Sequence, residues 1–188
     1  METIIAIREI YSNTVPEKIR DTIEKHFIPT IEEKKNNAEI PTPVSLVDEM
    51  LDKIPVEFWT TPKNVLEPCC GKGNFLLGIF DKFYDGLKQK YINKIERCEV
   101  IITKCLYYAD ITETNVFITT EILTCHIRSY TGQDKPDYSF NSYGFFLLSK
   151  KRGSLDRNFI SIINTTCKNL QDNIKKYKKI FFFVFFFT

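Results

Sequence analysis

The chain has 188 residues, 43% of them hydrophobic and 27% charged, as expected of one globular domain. Its 26 basic and 24 acidic residues leave a net charge of +2, so composition makes no general case for nucleic-acid binding; any DNA contact needs a local basic face or a partner domain. No stretch approaches the roughly 20 apolar residues of a membrane helix, and Met1-Glu2-Thr3-Ile4-Ile5 lacks the basic region and apolar core of a signal peptide, so an intracellular protein is expected, with no membrane partner.

In chain order, the spacing predicts a helix over 16–28: Pro16 suits its first turn, Ile19, Ile23 and Phe27 recur at four-residue steps, and Pro29 ends it. Nothing pairs with His26, which reads as structural or exposed, and Lys34-Lys35-Asn36-Asn37 reads as a polar linker. Next, Thr42 fits an N-cap and Pro43 a first helical residue, with Leu46, Val47, Met50, Leu51 and Ile54 forming one apolar face. Residues 55–63 read as a loop whose Phe58 and Trp59 serve core or lid packing, stacking on an adenine ring being the alternative.

The centre of the chain is Asn64-Val65-Leu66-Glu67-Pro68-Cys69-Cys70-Gly71-Lys72-Gly73-Asn74-Phe75, read as a short buried strand, a turn with two glycines and the start of a helix. Gly71 and Gly73 permit backbone angles and close ligand approach that other residues resist. Phe75, Leu76, Ile79, Phe80 and Phe83 recur at helical spacing, and Gly86 fits a C-cap. Residues 88–104 read as a further helix with Ile95, Cys98, Ile101, Ile102 and Cys105 on its apolar stripe. The six cysteines (69, 70, 98, 105, 125 and 167) show no zinc spacing, so reduced thiols and no metal site are expected.

Leu106 to Asp110 reads as a second strand ending in an acid. Asp110 suits ribose hydroxyls or, alternatively, the start of the next helix, expected over 113–125 with Phe117, Ile122 and Leu123 inward. Residues 134–137 read as a loop, 138–143 as a third strand, Lys150-Lys151-Arg152 as a solvated loop and 160–170 as a helix. Of the sixteen phenylalanines, those in Phe181-Phe182-Phe183-Val184-Phe185-Phe186-Phe187 form a low-complexity tail, consistent with an interrupted reading frame.

Three ligands compete for the glycine turn. A phosphate loop needs G-x-x-x-x-G-K-[ST], which is not met. A dinucleotide loop needs a third glycine where Leu76 stands, and Asp110 lies well beyond the offset of about 20 residues that such sites use. S-adenosylmethionine has no phosphates: Glu67 suits its ammonium, the glycines its methionine part and Asp110 its ribose, whereas the two acids would repel a diphosphate.

Leu66-Glu67-Pro68-Cys69-Cys70-Gly71-Lys72-Gly73-Asn74-Phe75 resembles the cofactor motif of adenine-specific DNA methyltransferases, L-[DE]-P-[AC]-[AC]-G-x-G-x-[FL]. Thr42-Pro43 and the helix after it resemble the element that precedes that motif and touches the methionine part of the cofactor; Asp110-Ile111 with Asn115 resembles the acidic motif after the second strand. Their order matches many type II restriction–modification methylases. The resemblance, over roughly 38–126, implies transfer of methyl from S-adenosyl-L-methionine to the adenine amino group, a DNA partner, and a cofactor site at Thr42, Pro43, Glu67, Pro68, Cys69, Gly71, Gly73, Phe75, Asp110 and Ile111.

The departures are specific. Tyr143-Gly144-Phe145-Phe146 has the glycine but not the acid of the family's next motif. The catalytic [DN]-P-P-[YF], which holds the flipped base, occurs nowhere, so no catalytic residue is assigned. The expectation is an α/β chain with an incomplete Rossmann-like methyltransferase fold: an N-terminal helical segment over 1–37, a partial cofactor domain over 38–144 and an irregular tail over 145–188. Such a chain is a truncated enzyme, a cofactor-binding subunit whose catalytic half comes from a second chain, or an inactive remnant; a methyltransferase for another substrate is a further option.

Overall fold

A computed structural model describes residues 2–37, 40–67, 69–108, 110, 112–132 and 181–182. They form α1 (Glu2–Asn13), α2 (Ile19–His26, entered through a 3-10 turn at Pro16–Lys18), α3 (Ile31–Asn37), α4 (Val44–Asp52), the single-turn α5 (Val56–Trp59), β1 (Val65–Glu67), α6 (Asn74–Gly86), α7 (Lys94–Val100) running into a π-helical turn at Ile101–Cys105, β2 (Leu106–Tyr108), α8 (Glu113–Thr131) and β3 (Phe181–Phe182). β1 is the middle strand, between β2 and β3, and both pairings are parallel. Val65, Leu66 and Glu67 face Leu106, Tyr107 and Tyr108. Parallel neighbours need a long crossover, here supplied by α6 and α7, so β1 and β2 end at the same edge of the sheet. The expected strand at 138–143, the helix at 160–170 and the loops between lie outside the described residues, as does most of the tail; within it, Phe181 and Phe182 pair with Val65 and Leu66.

α6 forms the core. Phe75, Leu76, Leu77, Ile79, Phe80 and Phe83 are all buried, so the helix is apolar almost all round, as a helix covered on several sides must be. α4 and α5 pack on it, and α1 packs on α8. Trp59 is buried edge-on against Phe83, with ring centroids 5.0 Å apart, and Phe58 packs edge-on against Trp59 at 4.8 Å; this is the packing role expected of the pair. Gly86 does not act as the C-cap. Leu87 holds that place in right-handed conformation, and Gly86 is needed for close approach, because a Cβ there would overlap the Trp59 carbonyl.

Several local expectations need correction. Residues 34–37 belong to α3, which a reciprocal cap nucleates: Thr30 N–H donates to Glu33 Oε2 at 2.7 Å and Glu33 N–H to Thr30 Oγ1 at 3.1 Å. Pro43, not Thr42, is the N-cap of α4, and Glu24 Oε1 accepts the Val44 N–H at 3.1 Å. Val44 points inward while Leu46 is exposed. Helix 88–104 starts only at Lys94, where the Asn93 side chain caps it. Cys98 and Cys105 are buried on its inner side as expected, and burial pushes both thiols up to about 12. α8 continues six residues past Cys125 and closes on Gly132 at φ +68°. Phe117 is half exposed, and Val116 and Ile118 take the inward positions beside Ile122 and Leu123.

The helical extension carries a buried polar network that the sequence did not signal. His126, only 3% exposed, donates from Nε2 to Asp81 Oδ1 at 2.7 Å, since a carboxylate can only accept. Its Nδ1 lies 3.1 Å from the Tyr11 hydroxyl of α1, and the Tyr130 hydroxyl donates to the same Asp81 oxygen at 2.8 Å. Burial alone would raise the Asp81 carboxyl; His126, the two hydrogen bonds and the charge of Arg20 outweigh it and hold the group below its ordinary range. No described helix is long and apolar enough to cross a membrane.

Candidate functional site

The glycine turn joins β1 to α6. Gly71 lies at φ +50° and Gly73 at φ +90°, both in the left-handed region that a Cβ resists. The Gly73 N–H donates to the Cys70 carbonyl at 2.9 Å, and Gly73 forms the N-cap of α6 without a side-chain bond. Thr119 of α8, fully buried, donates from Oγ1 to the Gly71 carbonyl at 3.0 Å, and its methyl group would stand 3.2 Å from a Cβ on Gly73. The turn is therefore held by a helix more than forty residues later in the chain.

Asp110, just beyond β2, completes the hold. Its Oδ2 accepts the Gly71 N–H at 2.9 Å; its Oδ1 accepts the Thr112 N–H at 2.8 Å and the Asn115 amide at 3.3 Å. Of the two readings of Asp110, the structure shows the one at the start of α8, and it adds a bond to the glycine turn. A carboxylate has about four acceptor positions; the three donors leave room for one more.

Glu67, the last residue of β1, is 5% exposed. Its Oε1 accepts the Cys69 N–H at 3.0 Å, while Oε2 has no hydrogen-bond partner among the described residues. Burial pushes this carboxyl up to about 7; the Cys69 N–H opposes the shift and the Asp110 charge adds to it. Cys69 is exposed as a residue, but partial burial of its thiol, then the charges of Glu67 and Asp110, raise that thiol above its ordinary range. Lys72, the one basic residue between the glycines, is ion-paired with Glu33 of α3 at 3.7 Å.

The upstream motif is tied to the same place: Asn74, first residue of α6, donates from its side-chain amide to the Thr42 carbonyl at 2.9 Å. Pro43 is exposed beside it, and Phe75 is buried in the core. Thr42, Glu67, Cys69, Gly71, Gly73 and Asp110 therefore belong to one hydrogen-bonded neighbourhood; Pro68 and Ile111 lie outside the described residues. Thr119 is the supporting residue that sequence reasoning missed. Its spacing of four from Asn115 places both on one face of α8, a signal available once Asn115 was singled out.

A separate cleft of about 480 Å³ is floored by Leu51, Ile54 and Trp59 and edged by Asp52, Lys82 and Asp85; it contains none of the predicted site residues. Among the described residues there is no cluster of His, Cys, Asp and Glu able to hold a metal ion. Compared with known protein families and with curated protein sequences, the chain matches none.

Proposed function

We propose that this chain is the S-adenosylmethionine-binding part of an adenine-specific DNA methyltransferase. The observation that carries the reading is the pair of carboxylates, Glu67 and Asp110, at the carboxyl ends of adjacent parallel strands and linked through the backbone of the glycine turn. Ligands of open α/β sheets bind at that edge. On this reading the fold is the Rossmann-like one of such enzymes, of which β1, α6 and β2 are the first parallel unit.

The residues fit the cofactor. The unpartnered Glu67 Oε2 suits an ammonium group, which would supply the missing donors and the opposite charge. Asp110 keeps one acceptor position for a ribose hydroxyl. Gly71 and Gly73 have no side chains to obstruct the methionine part, and Thr42-Pro43 flank the turn through Asn74. Two acids beside the turn disfavour a diphosphate. When bound, the cofactor supplies an activated methyl group; this chain's residues bind and orient it, and none of them is assigned to the adenine.

Calorimetry on the full chain tests the proposal: S-adenosylmethionine is expected to bind, and no heat at millimolar cofactor would refute the reading and leave an inactive remnant. A methyl-transfer assay on unmethylated DNA, with the chain alone and with added chains carrying [DN]-P-P-[YF], then separates an enzyme from a cofactor-binding subunit.

A further inference from the structure

Glu67 is buried to 5% exposure with one hydrogen bond, from the Cys69 N–H, and an Oε2 that meets no described donor. A carboxylate in that position has lost more hydration than it regains. Its surroundings do not compensate. On the turn it faces the thiols of Cys69 and Cys70. Across the turn stands the Asp110 carboxylate, whose charge opposes a second one. On β2 its register partner is Tyr108, whose hydroxyl is engaged with Thr120 of α8 at 2.9 Å. Lys72 is ion-paired with Glu33. Among the described residues no donor reaches Glu67 Oε2, and the nearest charged group that acts on it is the Asp110 carboxylate.

We infer, on the basis of the cofactor reading above, that Glu67 holds a proton in the ligand-free protein and gives it up to solvent when a ligand ammonium binds, so that the site exchanges a proton for a cation. The carboxyl O–H bond breaks, its electron pair stays on the carboxylate that receives the ammonium, and the proton leaves to water; the N–H bonds of the ligand are unchanged. The carboxyl position near 7 agrees with this. Binding at about pH 6 should release about 0.9 proton, and affinity should rise about eightfold between roughly pH 5.5 and 6.5. Over that range an α-amino group stays protonated, since it titrates near 8.

The test is calorimetry of the full chain at about pH 6 in two buffers of different ionisation enthalpy, which counts protons directly. The probes are S-adenosylmethionine, checked against S-adenosylhomocysteine, which keeps the ammonium on a neutral sulfur and should release the same proton, and 5′-methylthioadenosine, which keeps the adenine and ribose but lacks the amino-acid end. Release of close to one proton with S-adenosylmethionine and none with 5′-methylthioadenosine supports the inference, as does loss of the pH dependence in Glu67→Gln. Binding of S-adenosylmethionine with no proton release, or equal release with both probes, overturns it while leaving the cofactor reading intact. Absence of binding by either probe overturns both. If Glu67→Gln fails to fold, the two-probe comparison on the native chain still decides.

Discussion

Replacing Asp110 by alanine should destabilise the protein even without ligand. Its carboxylate accepts two backbone N–H groups, at 2.9 and 2.8 Å, and one side-chain amide at 3.3 Å. Hydrogen bonds to a charged group contribute about 1.5–3 kcal/mol each when buried. These are part-buried and one is long, so the sum is discounted to about 3 kcal/mol. With a urea slope of about 1.5–2 kcal/mol per molar, the unfolding midpoint should fall by roughly 1.5–2 M. Asp110→Asn should recover only part of this. Its one oxygen can keep Thr112 and Asn115, but its amide then points an N–H at the Gly71 N–H. The assay is equilibrium urea unfolding of wild type and both variants without cofactor. A midpoint change in Asp110→Ala worth less than about 0.5 kcal/mol, the size of an ordinary surface substitution, would refute the claim that this side chain holds the turn.

Three further outcomes follow from the same geometry. The Glu67 carboxyl titrates higher in the folded protein than its ordinary value, so the folded state binds more protons between the two; the stability it contributes at low pH is lost as pH rises through about 7, by up to about 3 kcal/mol. Urea unfolding at about pH 5 and pH 8 should show that slope in wild type and not in Glu67→Gln; equal slopes would exclude Glu67 as its source. Thr119→Val removes the donor to the Gly71 carbonyl and should cost about 1–2 kcal/mol, with Thr119→Ser closer to wild type, read by thermal unfolding. Gly86→Ala should cost at least about 2 kcal/mol, because its Cβ would overlap main chain at Trp59 that cannot rotate away; a neutral result would show that α5 shifts freely on α6.

What was legible in the sequence was whatever local pattern alone decides. Phe75, Leu76, Ile79, Phe80 and Phe83 reveal a buried helix because no other arrangement places them together, and Val65-Leu66-Glu67 before two glycines marks a strand end. The motifs placed Thr42, the glycine turn and Asp110 at one site, but the bonds between these distant segments were not legible. Thr119 and Asp110 both reach Gly71 only because α8 and β2 return to the turn, and no spacing rule links residues so far apart. The His126–Asp81–Tyr130 network is hidden for the same reason: each residue alone resembles a solvated side chain. Two misses were local. Thr30-Ile31-Glu32-Glu33 is a capping box, and the charges after it concealed α3. In α1 apolar residues occupy exposed as well as buried positions, Ile5 outward and Ile7 and Ile10 inward, so no clean stripe appears.

The two acids at the glycine turn differ in a way that their sequence positions do not reveal. Asp110 is largely satisfied by the protein: its oxygens meet three donors, and its main energetic role is available before any ligand arrives. Glu67 is not, since one of its buried oxygens has no hydrogen-bond donor among the described residues. Substitution at the first should therefore be felt in folding at any pH, and at the second in ligand binding, its proton balance and the pH dependence of stability. A group that only stabilised the fold would be replaced without loss by a neutral amide or an apolar side chain, as buried charges commonly can be. As a carboxylate, Glu67 would be costly to the ligand-free protein; a proton relieves that charge, and on the cofactor reading a ligand ammonium would replace the proton at the oxygen that meets no described donor.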